Sequence, residues 1–243
     1  MRPTEVGEAF LRYAERLDLG ATDLYAAMRD LRQARAGVLR VGLGQGVPDR
    51  IVTMLARTMI SGGVDLDLTG GMTDSLQRAV GLGELEFAII GLTQAPSPGL
   101  EWSPLIRDPM QPIAPSEHPM ASARRPVAWS SLARAKWIVP ASGTSSFAEF
   151  QRNFRDRGLT APRPCVESRN SHRELALAAA IGAIVLVPQS VAGEIKQLLQ
   201  FVPVRPQGGW SSSRELGIIR RQTGYISAAA RKGIDCVCEA AGG

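Results

Sequence analysis

The chain has 243 residues, of which 44% are hydrophobic and 21% are charged, and its formal net charge is +5. This composition supplies enough apolar material for one large domain or two lobes, and it excludes a chain that is disordered throughout. The basic residues are scattered without a long Lys/Arg run, so we expect solvated surface charge and a few anion contacts, not an arm built for nucleic acid.

The cysteines and histidines do not form a recognisable metal or disulfide pattern. Cys165, Cys236 and Cys238 lack paired spacing, so we expect reduced thiols. His118 and His172 lack partners at metal-ligand spacing, and we predict neither a metal site nor a cofactor. The sequence shows no signal-peptide pattern, and its apolar runs are too short to span a membrane, so a cytoplasmic protein is expected.

The first predicted element is one long helix from Glu5 to about Arg35, which ends before Gly37. Its apolar residues recur in alternating steps of four and three, as in a heptad seam. The residues of this seam are Phe10, Ala14, Leu17, Ala21, Leu24, Met28 and Leu31. A narrow seam on an N-terminal helix favours pairing with a second subunit, although packing against the helix's own domain is the alternative.

The rest of the chain alternates short β-rich runs with helical patterns. Strands are predicted at 38–43, 64–69, 85–90, 100–107, 110–114, 136–140, 164–167, 184–187 and 215–220. Helices are predicted at 48–60, 73–82, 145–157, 171–180, 190–199 and 225–238. This order is typical of parallel sheets with helices on both faces.

The same strand–helix unit occurs twice, with a break near residues 111–115. We therefore predict an α/β fold of two Rossmann-like lobes with a hinge and a cleft between them. The predicted divisions are a linker and dimerisation helix at 1–36, lobe I at 37–110 and 215–243, and lobe II at 111–214.

Ligands of open α/β sheets bind outside the carboxyl ends of the strands, which directs attention to four loops. These loops are rich in Gly, hydroxyl and amide groups and lead into helices, whose N-termini suit anions. The candidate effector-binding residues in them are Gly44, Gln45, Thr73, Ser142, Thr144, Ser145, Arg169, Asn170 and His172.

Each candidate also has a simpler interpretation. Thr73 and Ser145 fit the role of ordinary helix N-caps. Arg169 suits a bidentate carboxylate contact but equally a solvated loop position. His172 fits a hydrogen-bonding residue at a helix start better than a pH switch, and His118 fits a structural turn.

Catalytic motifs are not found. The segment Gly42–Gly46 lacks the GxGxxG spacing, and the sequence has neither a phosphate-binding P-loop nor a nucleophile elbow. With two histidines and no paired carboxylate motif, the chain offers little for acid–base catalysis, and we predict that it is not an enzyme.

Several short motifs resemble those of LysR-type transcription regulators and occur in that family's order. Thr4, Gly7, Glu8 and Leu11 match the T-x-x-G-E-x-x-L stretch that leads from the family's winged helix-turn-helix into its linker helix. The other matching segments are Gly37–Gly42, Gly71–Leu76, Gly83–Ile89, His118–Ala121 and Ala178–Pro188. Glu86, Phe87 and Ala183 depart mildly from the family pattern, at positions that affect packing.

The resemblance implies a type 2 periplasmic-binding-protein-like effector domain preceded by a linker helix. It also implies a small-molecule effector, often an anionic metabolite, held between the lobes, and a homodimer or homotetramer. Promoter DNA would be bound by a DNA-binding domain that precedes Thr4 in complete members, so the sequence is expected to be a piece of a longer regulator. A transport-type solute-binding protein is the alternative, and a metabolic enzyme on a similar fold is a third possibility.

Overall fold

The computed structural model describes residues 4–32, 37–168, 171–198 and 200–242 of the chain. It begins with helix α1 (Glu5–Arg32). Two five-stranded mixed sheets follow. Within the described part of the chain, no helix combines the length and apolar character needed to cross a membrane.

The first sheet has the strand order β2-β1-β3-β10-β4. Strand β1 is parallel to β2 and β3, whereas β10 is antiparallel to both β3 and β4. Its strands are β1 (Val38–Gly44), β2 (Asp65–Gly71), β3 (Phe87–Leu92), β4 (Leu100–Arg107) and β10 (Glu215–Arg221). Helices α2 (Asp49–Ser61), α3 (Thr73–Gly81) and α8 (Ala228–Gly242) complete the unit that we call lobe I.

Alternation along β3 explains why helices cover both faces of this sheet. Phe87 and Ile89 point into a core shared with α2 and α8, whereas Ala88 and Ile90 point into a second core with α3. Successive side chains of a strand project to opposite faces, so a nearly continuous apolar strand must be covered on both.

The second sheet repeats this layout with the strand order β7-β6-β8-β5-β9. Its strands are β5 (Met110–Pro115), β6 (Trp137–Pro140), β7 (Val166–Ser168), β8 (Ile184–Pro188) and β9 (Phe201–Pro203). Helices α4 (Trp129–Leu132), α5 (Ser145–Arg155), α6 (Ser171–Ile181) and α7 (Gln189–Leu198) complete lobe II. Because β6 is parallel to β7 and β8 while β5 is antiparallel to its neighbours, both lobes have the same arrangement.

Lobe II contains an aromatic cluster on one face of its sheet. Trp129, Trp137 and Trp210 lie against Phe150 and Phe154, with ring centroids separated by 5.2–6.3 Å. The Phe150–Trp210 pair is tilted, and the other pairs are stacked or edge-to-face, which are the favourable geometries for aromatic rings. The lobe therefore has a core of its own, separate from that of lobe I.

Helix α1 contacts lobe I through residues on the face opposite to its predicted seam. A Cβ at Gly83 would lie 3.1 Å from Leu19 Cδ2, and Asp23 is ion-paired with Arg221 at the end of β10. Residues four apart lie on the same helix face. The seam residues Phe10 and Leu17 face solvent, with 71% and 76% of their surface exposed.

The two-lobed α/β fold agrees with the sequence prediction, while several element boundaries differ from it. Strand β3 begins at Phe87, not at residue 85. Helix α8 begins at Ala228, not at Tyr225, because the Ser227 hydroxyl accepts the backbone N–H of Ala230 and caps the helix there. The short elements α4 and β9 were not predicted, since three or four residues carry too little periodicity to be recognised.

Candidate functional site

A cleft lies between the lobes, at the carboxyl ends of the parallel strands. Its empty volume is about 1030 Å³, including the solvent at its mouth. Lobe I contributes residues 45–46, 72–74, 77 and 91–95, and lobe II contributes residues 140, 143–146, 174 and 186–188. Met110 and Arg214 lie where the chain passes between the lobes and also line the cleft.

Four of the predicted binding residues line this cleft, namely Gln45, Thr73, Thr144 and Ser145. Two lie beside it with other contacts. Gly44 packs against β3, where a Cβ would be 3.1 Å from Ile90 Cα, and the Ser142 backbone N–H donates to Glu167 Oε2 at 2.8 Å. The rule about strand ends thus located three loops that line the cleft, whereas their role in binding an effector stays a prediction.

The remaining three predicted residues are not described at the side-chain level. Arg169 and Asn170 lie outside the described residues, and His172 belongs to α6, although its side chain is not described. Their role in binding an effector stays a prediction. His118, by contrast, makes the structural turn expected of it, because its Nδ1 accepts the backbone N–H of Met120 at 3.1 Å.

Burial lowers the pKa of the His118 imidazole below its ordinary value. The bond that its Nδ1 accepts from Met120 requires that nitrogen to be unprotonated, so both effects favour the neutral ring. His118 therefore belongs to the turn, and its side chain does not line the cleft.

The alternative roles of Thr73 and Ser145 as N-caps were wrong by one residue. The N-cap of α3 is Met72, which has no side chain suited to the task, and Thr73 Oγ1 lies 3.5 Å from the carbonyl oxygen of Gly91. The N-cap of α5 is Thr144, whose Oγ1 accepts the backbone N–H of Phe147 at 3.2 Å. Ser145 is therefore the first residue of α5, beside the cleft.

The electrostatics of the cleft favour an anion at α5 more than at α3. The first turn of α5 contains no acidic residue, whereas that of α3 contains Asp74, which itself lines the cleft. Backbone N–H groups in the first turn of a helix and the positive end of its dipole attract negative charge. Thr144, Ser145 and Ser146 add hydroxyl groups at that place.

Sequence reasoning missed Arg214, the one basic residue among the described residues that line the cleft. It is paired with Asp108, and their side chains are 4% and 1% exposed. Burial lowers the pKa of Arg214, while the charge of Asp108 opposes this effect, and a guanidinium group stays charged in such a pair. Its position in the sequence could have indicated its importance, because Arg214 directly precedes β10, where the chain returns to lobe I.

Sequence reasoning also missed Glu174, a carboxyl group in the wall formed by lobe II. It lies on α6 and is 4% exposed. Burial raises the pKa of this carboxyl, and a hydrogen bond with Ser168 partly counteracts that shift. The cleft therefore contains a carboxyl group that is protonated more readily than an exposed one.

Two α/β lobes of matching topology around a polar cleft are the architecture of domains that resemble type 2 periplasmic binding proteins. The chain belongs to the LysR substrate-binding domain family, whose model matches residues 32–242.

Known relatives agree with this assignment. The chain is 25% identical over 234 residues to the HTH-type transcriptional regulator GalR of Pseudomonas putida. This alignment covers 93% of the chain and 56% of GalR. The curated relatives matched also include the RuBisCO operon transcriptional regulator of Allochromatium vinosum, at 20% identity over 79% of this chain and 64% of that protein. The chain thus spans little more than half of their length.

Solved structures share the fold. The regulatory domain of Synechocystis PCC6803 CcmR in complex with 2-PG has a TM-score of 0.70 at 14% identity, covering 84% of this chain and 97% of that one. The effector-binding domain of QuiR in complex with shikimate has a TM-score of 0.65 at 15% identity, covering 84% and 96%.

Proposed function

We propose that the chain is the effector-sensing and oligomerisation region of a LysR-type DNA-binding transcription regulator, and that it binds a small anionic metabolite between its lobes. The observation that carries this proposal is a polar cleft at the carboxyl strand ends of a chain that belongs to this family. The first turn of α5, with Thr144 and Ser145, would hold the anionic group. The relatives are regulators, which favours this function over transport.

The proposal includes a division of labour along the chain. Residues 1–36 would form the linker and dimerisation helix, residues 37–110 and 215–243 would form lobe I, and residues 111–214 would form lobe II. The exposed seam of α1 would join two subunits in a homodimer or homotetramer. Promoter DNA would be bound through a separate DNA-binding domain of the full-length regulator, in the cytoplasm, and the region would not act as an enzyme.

A thermal-shift screen tests the cleft as the binding site. Anionic metabolites, starting with shikimate and 2-PG, would be compared on the wild-type chain and two variants. Ser145→Glu places a negative charge at the first position of α5, where it suits the helix dipole but repels a bound anion. Ser130→Glu adds the same charge to an exposed position of α4, whose residues do not line the cleft.

We expect at least one anion to raise the melting temperature of the wild-type chain and of Ser130→Glu, but not that of Ser145→Glu. A ligand that binds only the folded state stabilises it by an amount that grows with the logarithm of its concentration. If an anion stabilises Ser145→Glu as much as the wild-type chain, the anion does not bind at the first turn of α5. If no compound in the panel stabilises the wild-type chain, the proposal is contradicted.

A further inference from the structure

The Arg214 guanidinium is fastened to lobe I on several sides. Its Nη2 donates to the carbonyl oxygens of Gln45 and Gly46, at 3.3 and 3.5 Å, in the loop that follows β1. The group also lies directly against Gly91 at the end of β3, so closely that any Cβ at residue 91 would overlap it. Lobe I thus holds the guanidinium by two backbone carbonyls and one close packing contact.

Its partner Asp108 is fastened to lobe II. Asp108 Oδ1 accepts the backbone N–H of Ser190 at 2.9 Å, and Oδ2 accepts the Ser190 hydroxyl at 2.9 Å, in the first turn of α7. Oδ2 also accepts Nη1 of Arg214. One carboxylate therefore links the start of a lobe II helix to a guanidinium held by lobe I.

The two connections between the lobes are joined at the same point. Asp108 belongs to the first connection and Arg214 ends the second, and the Asp108 backbone N–H donates to the carbonyl oxygen of Arg214 at 3.1 Å. Ser212 Oγ accepts the backbone N–H of Met110 at 3.0 Å and donates to Glu149 Oε2 of α5 at 2.7 Å. Glu149 is itself buried, so the cluster has little contact with water.

Breaking the ion pair of Arg214 and Asp108 would cost considerable free energy. A buried ion pair whose remaining donors and acceptors are also satisfied is held in one arrangement, because removing either partner leaves a buried charge uncompensated. Gly46 adds a direct contact between the lobes, since it lies against Pro188 of β8 with no room for a side chain. Gln45, Gly46, Pro188 and Arg214 all line the cleft.

We propose that Arg214 and Asp108 are positioning residues that clamp the two lobes at one opening of the cleft. Lobe I holds the guanidinium and lobe II holds the carboxylate. The ion pair between them therefore fixes the angle between the two lobes. A ligand that contacts Gln45 or Gly46 then meets a preformed site, and it changes the opening only by displacing the carbonyls that Arg214 holds. This inference concerns the chain without ligand, so it stands or falls separately from the proposed function.

Two exposed native thiols allow the opening to be measured. Cys165 lies in lobe II and Cys238 in lobe I, whereas Cys236 is buried. Spin labels on Cys165 and Cys238 give an interlobe distance by double electron–electron resonance, and dilution with unlabelled chain removes distances between subunits.

Two variants loosen the clamp while keeping a positively charged side chain at residue 214. Arg214→Lys keeps the charge near Asp108 but cannot also reach the carbonyls of Gln45 and Gly46, because an ammonium group lacks the guanidinium fork. Gly91→Ala displaces the guanidinium sterically. Gly70→Ala is the control, because a Cβ there meets nothing within 4 Å.

We expect one narrow distance distribution for the wild-type chain and for Gly70→Ala. In Arg214→Lys and Gly91→Ala, the distribution should broaden or shift by several ångströms while the far-UV circular dichroism stays that of the wild type. Folded Arg214→Lys with the wild-type distribution would overturn the proposal, as would equal broadening in Gly70→Ala. If Gly91→Ala does not fold, Arg214→Lys alone decides.

Discussion

Glu174 is a cleft residue whose protonation depends on its burial. Because burial raises its pKa, the folded chain binds this proton more tightly than the unfolded chain does. The resulting contribution to stability is fully present below the ordinary value of 4.5 and is lost as the pH rises through the raised pKa of the folded state. Above that pH, the folded chain contains a buried carboxylate.

The substitution Glu174→Gln should remove the free-energy cost of burying an ionised carboxylate at this position. We expect the melting temperature of Glu174→Gln, relative to the wild-type chain, to rise as the pH increases from about 4.5 to 8. Glu117→Gln removes an exposed carboxylate from the same lobe and serves as the control. A difference between Glu174→Gln and wild type that stays constant with pH would contradict this account of Glu174.

Among single residues, the sequence predicted cleft-lining residues in the segments between a strand and the next helix, such as Gln45 and Thr144. It did not predict Arg214 or Glu174, because their place in the cleft depends on how the lobes face each other and not on local pattern. The N-cap of α5 was misplaced for a related reason: Thr144 and Ser145 are both suitable caps by residue type, and only the backbone shows that Thr144 is the cap.

Among the elements, α1 is distinguished by two opposite faces with different environments. Leu19 and Asp23 contact lobe I, whereas Phe10, Leu17 and Leu24 are exposed. Large apolar side chains in a row on a solvent-facing helix favour association with another helix. The intramolecular contacts of α1 therefore leave its seam accessible to a second subunit.

We expect the double variant Leu17→Glu, Leu24→Glu to lower the molecular mass measured by light scattering, because it places charges within the seam. Gly20→Glu provides the control, since position 20 lies beside the seam and a Cβ there meets nothing within 4 Å. If the double variant keeps the mass of the wild-type chain, the seam does not join subunits.

Element boundaries show where sequence patterns stop being informative. The nearly all-apolar run in residues 85–90 predicted a strand correctly, but the strand starts at Phe87 because Leu85 packs in the core without joining the ladder. Apolar periodicity reports burial, and a buried turn residue reads like a strand residue. Strand β9, with three residues, depends on pairing with β5 and has no local pattern of its own.

The molecule as a whole consists of two separately packed lobes. Phe87 is buried in the core of lobe I, and Phe150 is buried in that of lobe II. The lobes are joined at their connections by the buried ion pair of Arg214 and Asp108. Cores that share no residues allow local unfolding of one lobe without the other.

Phe150→Ala should destabilise lobe II selectively, by about 3–5 kcal/mol, because it removes a buried aromatic ring. Hydrogen exchange should then lose protection in β6 and β8 while β1 and β3 stay protected. Phe87→Ala should give the reverse pattern. Equal losses in both sheets from either substitution would mean that the lobes unfold as one unit.

The aromatic cluster has a practical consequence. Of the four tryptophans, Trp129, Trp137 and Trp210 lie together in lobe II, and Trp102 on β4 is the one in lobe I. Intrinsic emission of this chain is therefore dominated by one half of the molecule. A denaturation curve followed by tryptophan fluorescence would report the unfolding of lobe II. Unfolding confined to lobe I would change the emission only slightly.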